Sequence, residues 1–470
     1  MKYSYLAILL MLGLICLPTV SSAQTASNST ADVSTVSISN ATAQVPQAVT
    51  PDEEKATRIL TLEKCVQIGL RQNPTIVSAR RQLLSSDSNV KSARGNFGAS
   101  VDMSYGYRHQ NKQPKLMGVN SDYQDKWSMG INISQPIFTG FNLLSNYQKA
   151  KIQREQDEAR LYQAELSLIQ EIQTSFLTLL QGRMDVKSKQ DSVARLESQL
   201  KVIEAFYQVG LRPRVDVLQA EVELASAQQD LLKSQNDVSS RHARLNTLLN
   251  LPIDENINYS GELTYLPFSR SLDDCISTAD KDRPDLRIAK KSIKVAEEDV
   301  DISESDYYPH VSADFDYNRA GGDPLTDTNR YTKNPESWSA GATVNWNVFS
   351  WGSTYYDVKR AKEQVKKIKA DFENTRLEAS YEIKDNLLSL KAAADRIGVG
   401  RKSVEAGREG YRMAMARYQA QVSTNNEVLN AQSRLSGSEA ELIQALADYQ
   451  VALARLYVAM GVKNPSLKTN

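Results

Sequence analysis

The chain carries its own sequence twice, one copy after the other, and this limits its fold more than any other feature. At a spacing of 210 residues, Leu62, Cys65, Pro74, Ala79, Val90 and Val101 meet Leu272, Cys275, Pro284, Ala289, Val300 and Val311, while Tyr105 and Tyr107 meet Phe315 and Tyr317. Past a one-residue shift the spacing is 211, and Trp127, Gly130, Ile133 and Phe138 meet Trp338, Gly341, Val344 and Phe349. The shift falls between Tyr107 and Trp127, in a polar stretch. The period is far longer than that of a solenoid. It predicts two tandem copies, 58–251 and 271–462, joined by a Pro-containing linker at 252–270 and followed by a short tail at 463–470. Each copy then holds a short helix, a strand hairpin, a long helix, a tip and a return helix.

Within each copy the helical parts read as coiled coil. Val217, Leu224, Leu231, Val238 and Leu245 lie seven apart, and so do their mates Val428, Leu435, Leu442, Tyr449 and Leu456. A strict seven-residue apolar repeat winds helices into a left-handed supercoil. Small residues follow three places on (Ala220, Ala227, Ser234; Ala431, Ser438, Ala445, Ala452, Ala459), which lets helices approach closely. Upstream, Val193, Leu196, Leu200, Ile203 and Tyr207 step by threes and fours. The stretches 145–208 and 356–419 contain no proline, so each is expected to form a single helix of about 96 Å. The stretches 75–95 and 214–250, stacked end to end, reach about 87 Å. One long helix and one broken column of similar height per copy predict a tall wall of paired helices.

The hairpins have the other period. Val101, Met103, Tyr105 and Tyr107 alternate with polar or small residues, as do Trp127, Met129, Ile131 and Ile133. The second copy repeats this with Val311, Ala313, Phe315 and Tyr317, then Trp338, Ala340, Ala342, Val344 and Trp346. About ten residues of period-two alternation, apolar on one face, fit a strand of a membrane barrel. The placement of Trp127, Trp338 and Trp346, with Tyr107 and Tyr317, suits an aromatic belt at the membrane interfaces. Polar stretches at 108–126 and 318–337 would form the external connections. Four strands cannot close a barrel, and open edges are not tolerated in lipid. Several chains must therefore share one barrel, and the arithmetic permits two, three or four.

Composition excludes other classes. Lys and Arg number 56 against 56 Asp and Glu, so no basic footprint for nucleic acid exists. A mean hydropathy of −0.45 is too polar for a bundle of membrane-spanning helices. Residues 1–23 read as a secretory signal, with Lys2, an apolar run from Leu6 to Leu17 and Ser21-Ser22-Ala23. Residues 24–57, rich in Ser, Thr, Ala, Gln and Asn, read as a flexible leader. Cys65 and Cys275, in matching places around a ring, are expected to remain buried thiols, because a disulfide needs Cα atoms within about 7 Å. His109, His242 and His310 show no metal-ligand spacing, and no catalytic or cofactor motif is present. An exported coiled-coil scaffold or adhesin without a pore is the alternative to a channel.

This order of features resembles the TolC-like outer-membrane efflux and secretion channel family. The carrying residues are Pro74 and Pro284, the strand ends Gln135-Pro136-Ile137-Phe138-Thr139-Gly140 and Asn347-Val348-Phe349-Ser350-Trp351-Gly352, and Tyr207-Gln208-Val209-Gly210-Leu211 followed by Asp216-Val217-Leu218-Gln219-Ala220. The resemblance spans about residues 60 to 462. It implies a mixed α and β membrane protein: a homotrimer whose 12-stranded barrel in the outer-membrane lipid continues into a periplasmic α-helical barrel. It implies a passive exit duct, not an enzyme, docked to a periplasmic adaptor and an inner-membrane transporter. The hairpin tips (Gly210, Leu211 and Arg212; Gln421, Val422 and Ser423) would face the adaptor and close the periplasmic mouth. The second tip departs from the family motif, with Gln421 where Gly is usual. Tyr418 matches a family gate tyrosine and is equally a coiled-coil packing position. Asp216 and Glu427, mates at 211, are expected to form an acidic constriction favouring cations, although acids in a first helical turn also serve as caps.

Overall fold

The absence of proline and the three-four apolar stepping are realised as two helices of 67 residues each, about 100 Å long at 1.5 Å per residue. The computed structural model describes residues 59–111, 115–116, 119–120, 124–325 and 336–465. The expected signal and leader, and parts of both external connections and of the tail, lie outside the described residues. In chain order the elements are β1 (Ile59–Leu60), α1 (Leu62–Gln72), α2 (Pro74–Gly95), β2 (Ser100–His109), β3 (Lys115–Leu116), β4 (Val119–Asn120), β5 (Asp125–Thr139), α3 (Asn142–Gln208) and α4 (Arg214–Leu248). They continue with β6 (Asn258–Tyr259), α5 (Leu272–Asp282), α6 (Pro284–Glu304), a 3-10 turn (Ser305–Tyr307), β7 (His310–Gly321), β8 (Glu336–Asn345), α7 (Ser353–Gln419) and α8 (Asn425–Ala459).

The short helices complete the broken columns. Asn73 caps α2, its Oδ1 accepting from Thr75 N at 2.9 Å, while its Nδ2 donates to the Leu248 carbonyl at the end of α4, 3.0 Å away. α4 thus runs into α2. In the second copy Arg283 occupies the place of Asn73, and its Nη1 donates to the Ala459 carbonyl at the end of α8 at 3.0 Å. After each return helix the chain turns through a left-handed residue, Asn250 (φ 55°) or Gly461 (φ 75°). α3 packs against α2, α4, α6 and α8, and α7 packs against α6 and α8. The wall is therefore ordered α4/α2, α3, α8/α6, α7.

The four main strands form one antiparallel sheet in the order β2-β5-β7-β8. β2 and β5 precede and follow the first hairpin connection, between α2 and α3; β7 and β8 do the same between α6 and α7. Strand order and column order therefore coincide. A two-residue ladder between β3 and β4 lies inside the stretch expected to be a plain loop, and β1 pairs in parallel with β6 inside the expected linker. β8 ends at Asn345, so Trp346 lies just past the strand instead of within it.

Three apolar clusters hold the wall. One joins α1, α3, the end of α4 and the linker around Cys65, Ile172, Phe176, Leu249 and Tyr259. The second joins α5, α7 and α8 around Cys275, Ile383, Tyr449 and Leu456. The third, at the tips, holds Ile203, Val217, Ala220, Tyr418 and Val428. The two cysteines are buried, unbonded and in different clusters. Burial pushes the Cys65 thiol up to about 12. His242 is spent on structure, its Nε2 lying 2.9 Å from the Ile257 carbonyl.

Candidate channel site: the two-faced sheet and the helical tips

The sheet register sorts the strands by polarity. Met103 faces Ile131, which faces Tyr317, which faces Trp338. Directly paired residues share a face, so one face carries Val101, Met103, Tyr105, Trp127, Ile131, Ile133, Phe315, Trp338 and Val344. The other carries Asp102, Ser104, Asn132, Ser134, Asp314, Asp316, Thr343 and Asn345. The polar face is internally bonded: Asn132 Nδ2 donates to Asp316 Oδ1 and Ser134 Oγ to Asp314 Oδ1, both at 2.7 Å. An apolar exterior and a hydrogen-bonded polar interior are what a lipid-embedded barrel wall requires.

Aromatic residues gather at both ends of that apolar face. Tyr107 lies 4.6 Å from Trp127, ring to ring, near the external end. Tyr317 and Trp338 are paired across β7 and β8. At the helical end, Trp346 Nε1 donates to the Tyr307 carbonyl at 3.1 Å. Eight residues separate Trp338 from Trp346, about 26 Å of extended chain, close to the ~25 Å apolar band of outer-membrane barrels. A further cluster at this end, Phe138, Phe141 and Tyr308, was not singled out from sequence; Phe141 and Tyr308 meet edge to face at 5.8 Å. It depends on consecutive left-handed residues, Gly140 (φ 59°) and Phe141 (φ 71°). A Cβ on Gly140 would lie 2.5 Å from the Ser305 carbonyl oxygen. The tandem Thr139-Gly140 and Trp351-Gly352 were its only sequence signal.

The tips share one backbone and differ in side chains. Gly210 (φ 75°) donates to the Tyr207 carbonyl at 2.9 Å and Leu211 to Phe206 at 2.8 Å. Gln421 (φ 62°) and Val422 repeat both bonds, to Tyr418 and Arg417. Gln421 thus adopts the left-handed turn where glycine was expected, at the steric cost of its Cβ. Leu211 and Val422 are exposed, as an adaptor-facing surface needs.

Arg212 crosses from the first tip to the second. Its Nη2 donates to the Ser423 carbonyl at 2.7 Å, and its guanidinium lies 4.9 Å from the centre of the Tyr418 ring. Tyr418 is fully buried, with no hydrogen-bond partner for its hydroxyl, and burial raises its pKa above the usual phenol value. Its mate Tyr207 is exposed. Beside it, Gln199 Nε2 donates to Asn425 Oδ1 at 2.7 Å, and Asn425 Nδ2 reaches the Asp216 carbonyl at 3.4 Å. These links between copies carry no local signature, which is why sequence reasoning missed Gln199 and Asn425. Asp216 is half-buried in the first turn of α4. Glu427 is exposed, but its carboxylate is engaged: Oε2 accepts from Ser423 Oγ at 2.6 Å and lies 3.9 Å from Arg417. Thr424 caps α8 by accepting from Glu427 N at 3.4 Å.

Among the described residues no helix is long and apolar enough to cross a membrane, and no group of three or more His, Cys, Asp or Glu could hold a metal ion. A half-apolar sheet set on a wall of long helices defines a class of outer-membrane channel with a periplasmic stem. The profile of the outer membrane efflux protein family matches residues 66–251 and 275–462, and the chain belongs to that family. The outer membrane efflux protein BepC of Brucella suis is 23% identical over 402 residues, 85% of each chain. The alkaline protease secretion protein AprF of Pseudomonas aeruginosa is 23% identical over 349 residues, 73% of this chain and 70% of its own. In fold, the outer membrane protein VceC of Vibrio cholerae superposes with a TM-score of 0.74 at 18% identity, over 85% of this chain and 96% of its own. The open-state MtrE outer membrane channel of Neisseria gonorrhoeae gives 0.71 at 19%, over 85% and 89%. The protein is an outer-membrane channel extending into the periplasm, in a family of channels rather than enzymes.

Proposed function

We propose that three copies of the chain close one barrel of twelve strands, continuous with a tunnel of twelve helical columns, and that this trimer is the passive exit duct of a tripartite efflux pump or a type I secretion system. The observation that carries the reading is the pair of unsatisfied sheet edges. β2 and β8, the outer strands, are exposed along nearly their whole length, while β5 and β7 are mostly half-buried. The helical wall has matching open sides. α7 exposes Leu377, Tyr381, Leu388 and Val399, and α2 and α4 expose Val77, Leu84, Val222 and Leu232. A head-to-tail ring covers both at once. A pore-less scaffold leaves the apolar sheet face unexplained, and no observation favours it.

The duct carries out no catalysis and holds no cofactor. Its partners are a periplasmic adaptor at the exposed tips and, through it, an inner-membrane transporter; the relatives named for efflux and for protease secretion support both settings. Tyr418, Asp216 and Glu427 sit at the mouth, with the two carboxylates of each chain forming an acidic constriction that favours cations. Purified protein is expected to migrate as a trimer before heating and a monomer after, and to conduct ions across planar bilayers. A monomer without conductance overturns the channel. Loss of cation preference in the double variant Asp216→Asn, Glu427→Gln supports the constriction, and unchanged selectivity removes it.

A further inference from the structure

In the second copy, Lys362 Nζ of α7 lies 2.8 Å from Glu304 Oε1 at the end of α6, and Lys369 Nζ lies 3.2 Å from Glu297 Oε1. The mates of Glu304 and Lys362 in the first copy are Arg94 and Lys151. A pair of positions that forms a salt bridge in one copy thus carries two cations in the other. A third cation, Lys91, stands where the second copy has Asp301. Lys91, Arg94 and Lys151 are exposed, and among the described residues none of them makes an ion pair. Lys151 Nζ lies over the Tyr147 ring, 5.5 Å from its centre.

Lys91 and Lys151 border a crevice of about 490 Å³ between α2 and α3, lined also by Asp87, Val90, Arg154 and Glu155. Its acids are already engaged. Asp87 Oδ1 accepts from Arg154 Nε at 2.9 Å, and Glu155 accepts from Lys291 of α6. Neighbouring cations repel one another, so this lining calls for an anion that the described residues do not supply.

The crevice opens on the lipid side, just below the sheet. Phe138 belongs to the apolar face of the sheet, beside Val311 and Val344, and its ring meets that of Phe141 at 5.4 Å. Steps of three and four down α3 from Phe141 pass Leu144 and Gln148 and reach Lys151 and Glu155, on the same side of the helix. Phe97, where α2 gives way to β2, packs edge to face against Tyr147 at 6.1 Å. Lys91 lies about 9 Å below Phe97 along the helix, and long basic side chains reach back toward the interface. The headgroup layer is roughly 5–8 Å thick on each side of the hydrocarbon. The three cations therefore stand at the depth of the headgroups of the inner leaflet.

We propose that this crevice binds the phosphate of an anionic phospholipid in the inner leaflet of the outer membrane, with Lys91, Arg94 and Lys151 as its ligands. The site goes beyond the duct proposed above and rests on the barrel which that reading sets in lipid. Native mass spectrometry of the trimer, purified in detergent and mixed with phosphatidylglycerol or phosphatidylethanolamine, counts the lipids retained. The wild type is expected to retain phosphatidylglycerol in preference. Lys91→Gln with Arg94→Gln and Lys151→Gln should reduce that retention several-fold. Arg94→Glu, which imports the second copy's salt bridge to Lys151, should do the same. The charge-matched control Lys201→Gln with Lys233→Gln and Arg408→Gln, low on the stem, should retain the lipid. Equal loss in the control, or unchanged retention in the first two variants while the unheated trimer persists, overturns the site alone. Displacement of phosphatidylglycerol by millimolar inorganic phosphate overturns the lipid as its occupant. A wild type that is monomeric before heating overturns the barrel itself.

Discussion

Where α2 meets α3, the contact is built on a buried carboxylate; where α6 meets α7, the same positions are apolar. Asp157 is 5% exposed and accepts from Ser86 Oγ, from Gln82 Nε2 at 3.2 Å and from Arg160 Nη1 at 2.5 Å. Burial alone would raise its pKa, but these donors outweigh it and hold the carboxyl below its ordinary value. In the second copy Asp157 becomes Ile368 and Ser86 becomes Ala296, and the two line one crevice among α3, α6 and α7. The backbones agree to within a residue in the lengths of α2 and α6 and match in those of α3 and α7. What duplication preserves is helix length and the opposition of a small residue to a larger one; hydrogen bonds or apolar contact serve equally there once every buried polar atom is paired.

The largest break between the copies is expected at the column junctions. A Cβ on Gly461 would stand 2.5 Å from Arg283 Cα and 2.6 Å from its N, at φ 75°. These are backbone atoms and cannot swing away. Gly461→Ala should therefore cost about 3–5 kcal/mol, combining left-handed strain with overpacking. Its mate Asn250 already tolerates φ 55° with a side chain in place, so Asn250→Ala should cost about 1 kcal/mol. Thermal unfolding midpoints of the two variants measure the contrast, and equal shifts would refute it.

Next in size is the carboxylate itself. Asp157→Ala leaves Gln82 Nε2 without its acceptor and Ser86 Oγ with only the Gln82 carbonyl at 3.2 Å, and should cost about 2 kcal/mol. Importing the second copy's solution, Asp157→Ile with Ser86→Ala, should recover most of that. The pH dependence follows from the depressed carboxyl. Its contribution is complete above the unfolded-state value of about 4 and is lost as pH falls through the lower folded value. Acid should thus destabilise the native chain more than the double variant. Parallel pH profiles would show that Asp157 is not the group responsible.

At the tips the two copies bond to each other through equivalent positions, since Ser423 is the mate of Arg212. Arg212→Ala removes the contact with the Ser423 carbonyl and with the Tyr418 ring, worth about 1 kcal/mol. Amide exchange over 421–424 should quicken by ~5-fold, while exchange midway along α3 should not change. Exchange that stays slow would mean the tips hold together without Arg212.

Much of this was legible in the sequence because it is periodic. The absence of proline predicted the long helices to within three residues at their starts, and alternation predicted the four strands whose register then sorted polar from apolar faces. Trp346 was read as part of a strand because alternation continues through it; the strand stops earlier for want of a neighbour, which periodicity does not record. The tip residues Gly210 and Gln421 were legible as a helix break, but not the Arg212 crossing, the Gln199–Asn425 bond or the complete burial of Tyr418. Each of these depends on bringing together residues more than 200 positions apart, and local pattern holds no information about such pairs.

The smallest expected difference lies in the two thiols, and it tests whether equivalent positions have equivalent surroundings. Both side chains are fully buried. Cys65 lies within the larger cluster, against α3 and the linker, and burial drives its pKa up to about 12. For Cys275 burial also raises the pKa, but the nearby Arg270 charge works against it. The reactive species is the thiolate, so at pH 8 only ~1 in 10,000 Cys65 thiols is ionised while the site stays buried. In the native protein both should label slowly with maleimide, Cys275 ahead of Cys65, and in denaturant the two should label alike. Faster labelling of Cys65 in the native state would mean that α1 detaches from α3 more readily than α5 from α7. The first copy would then be the looser one despite its larger core.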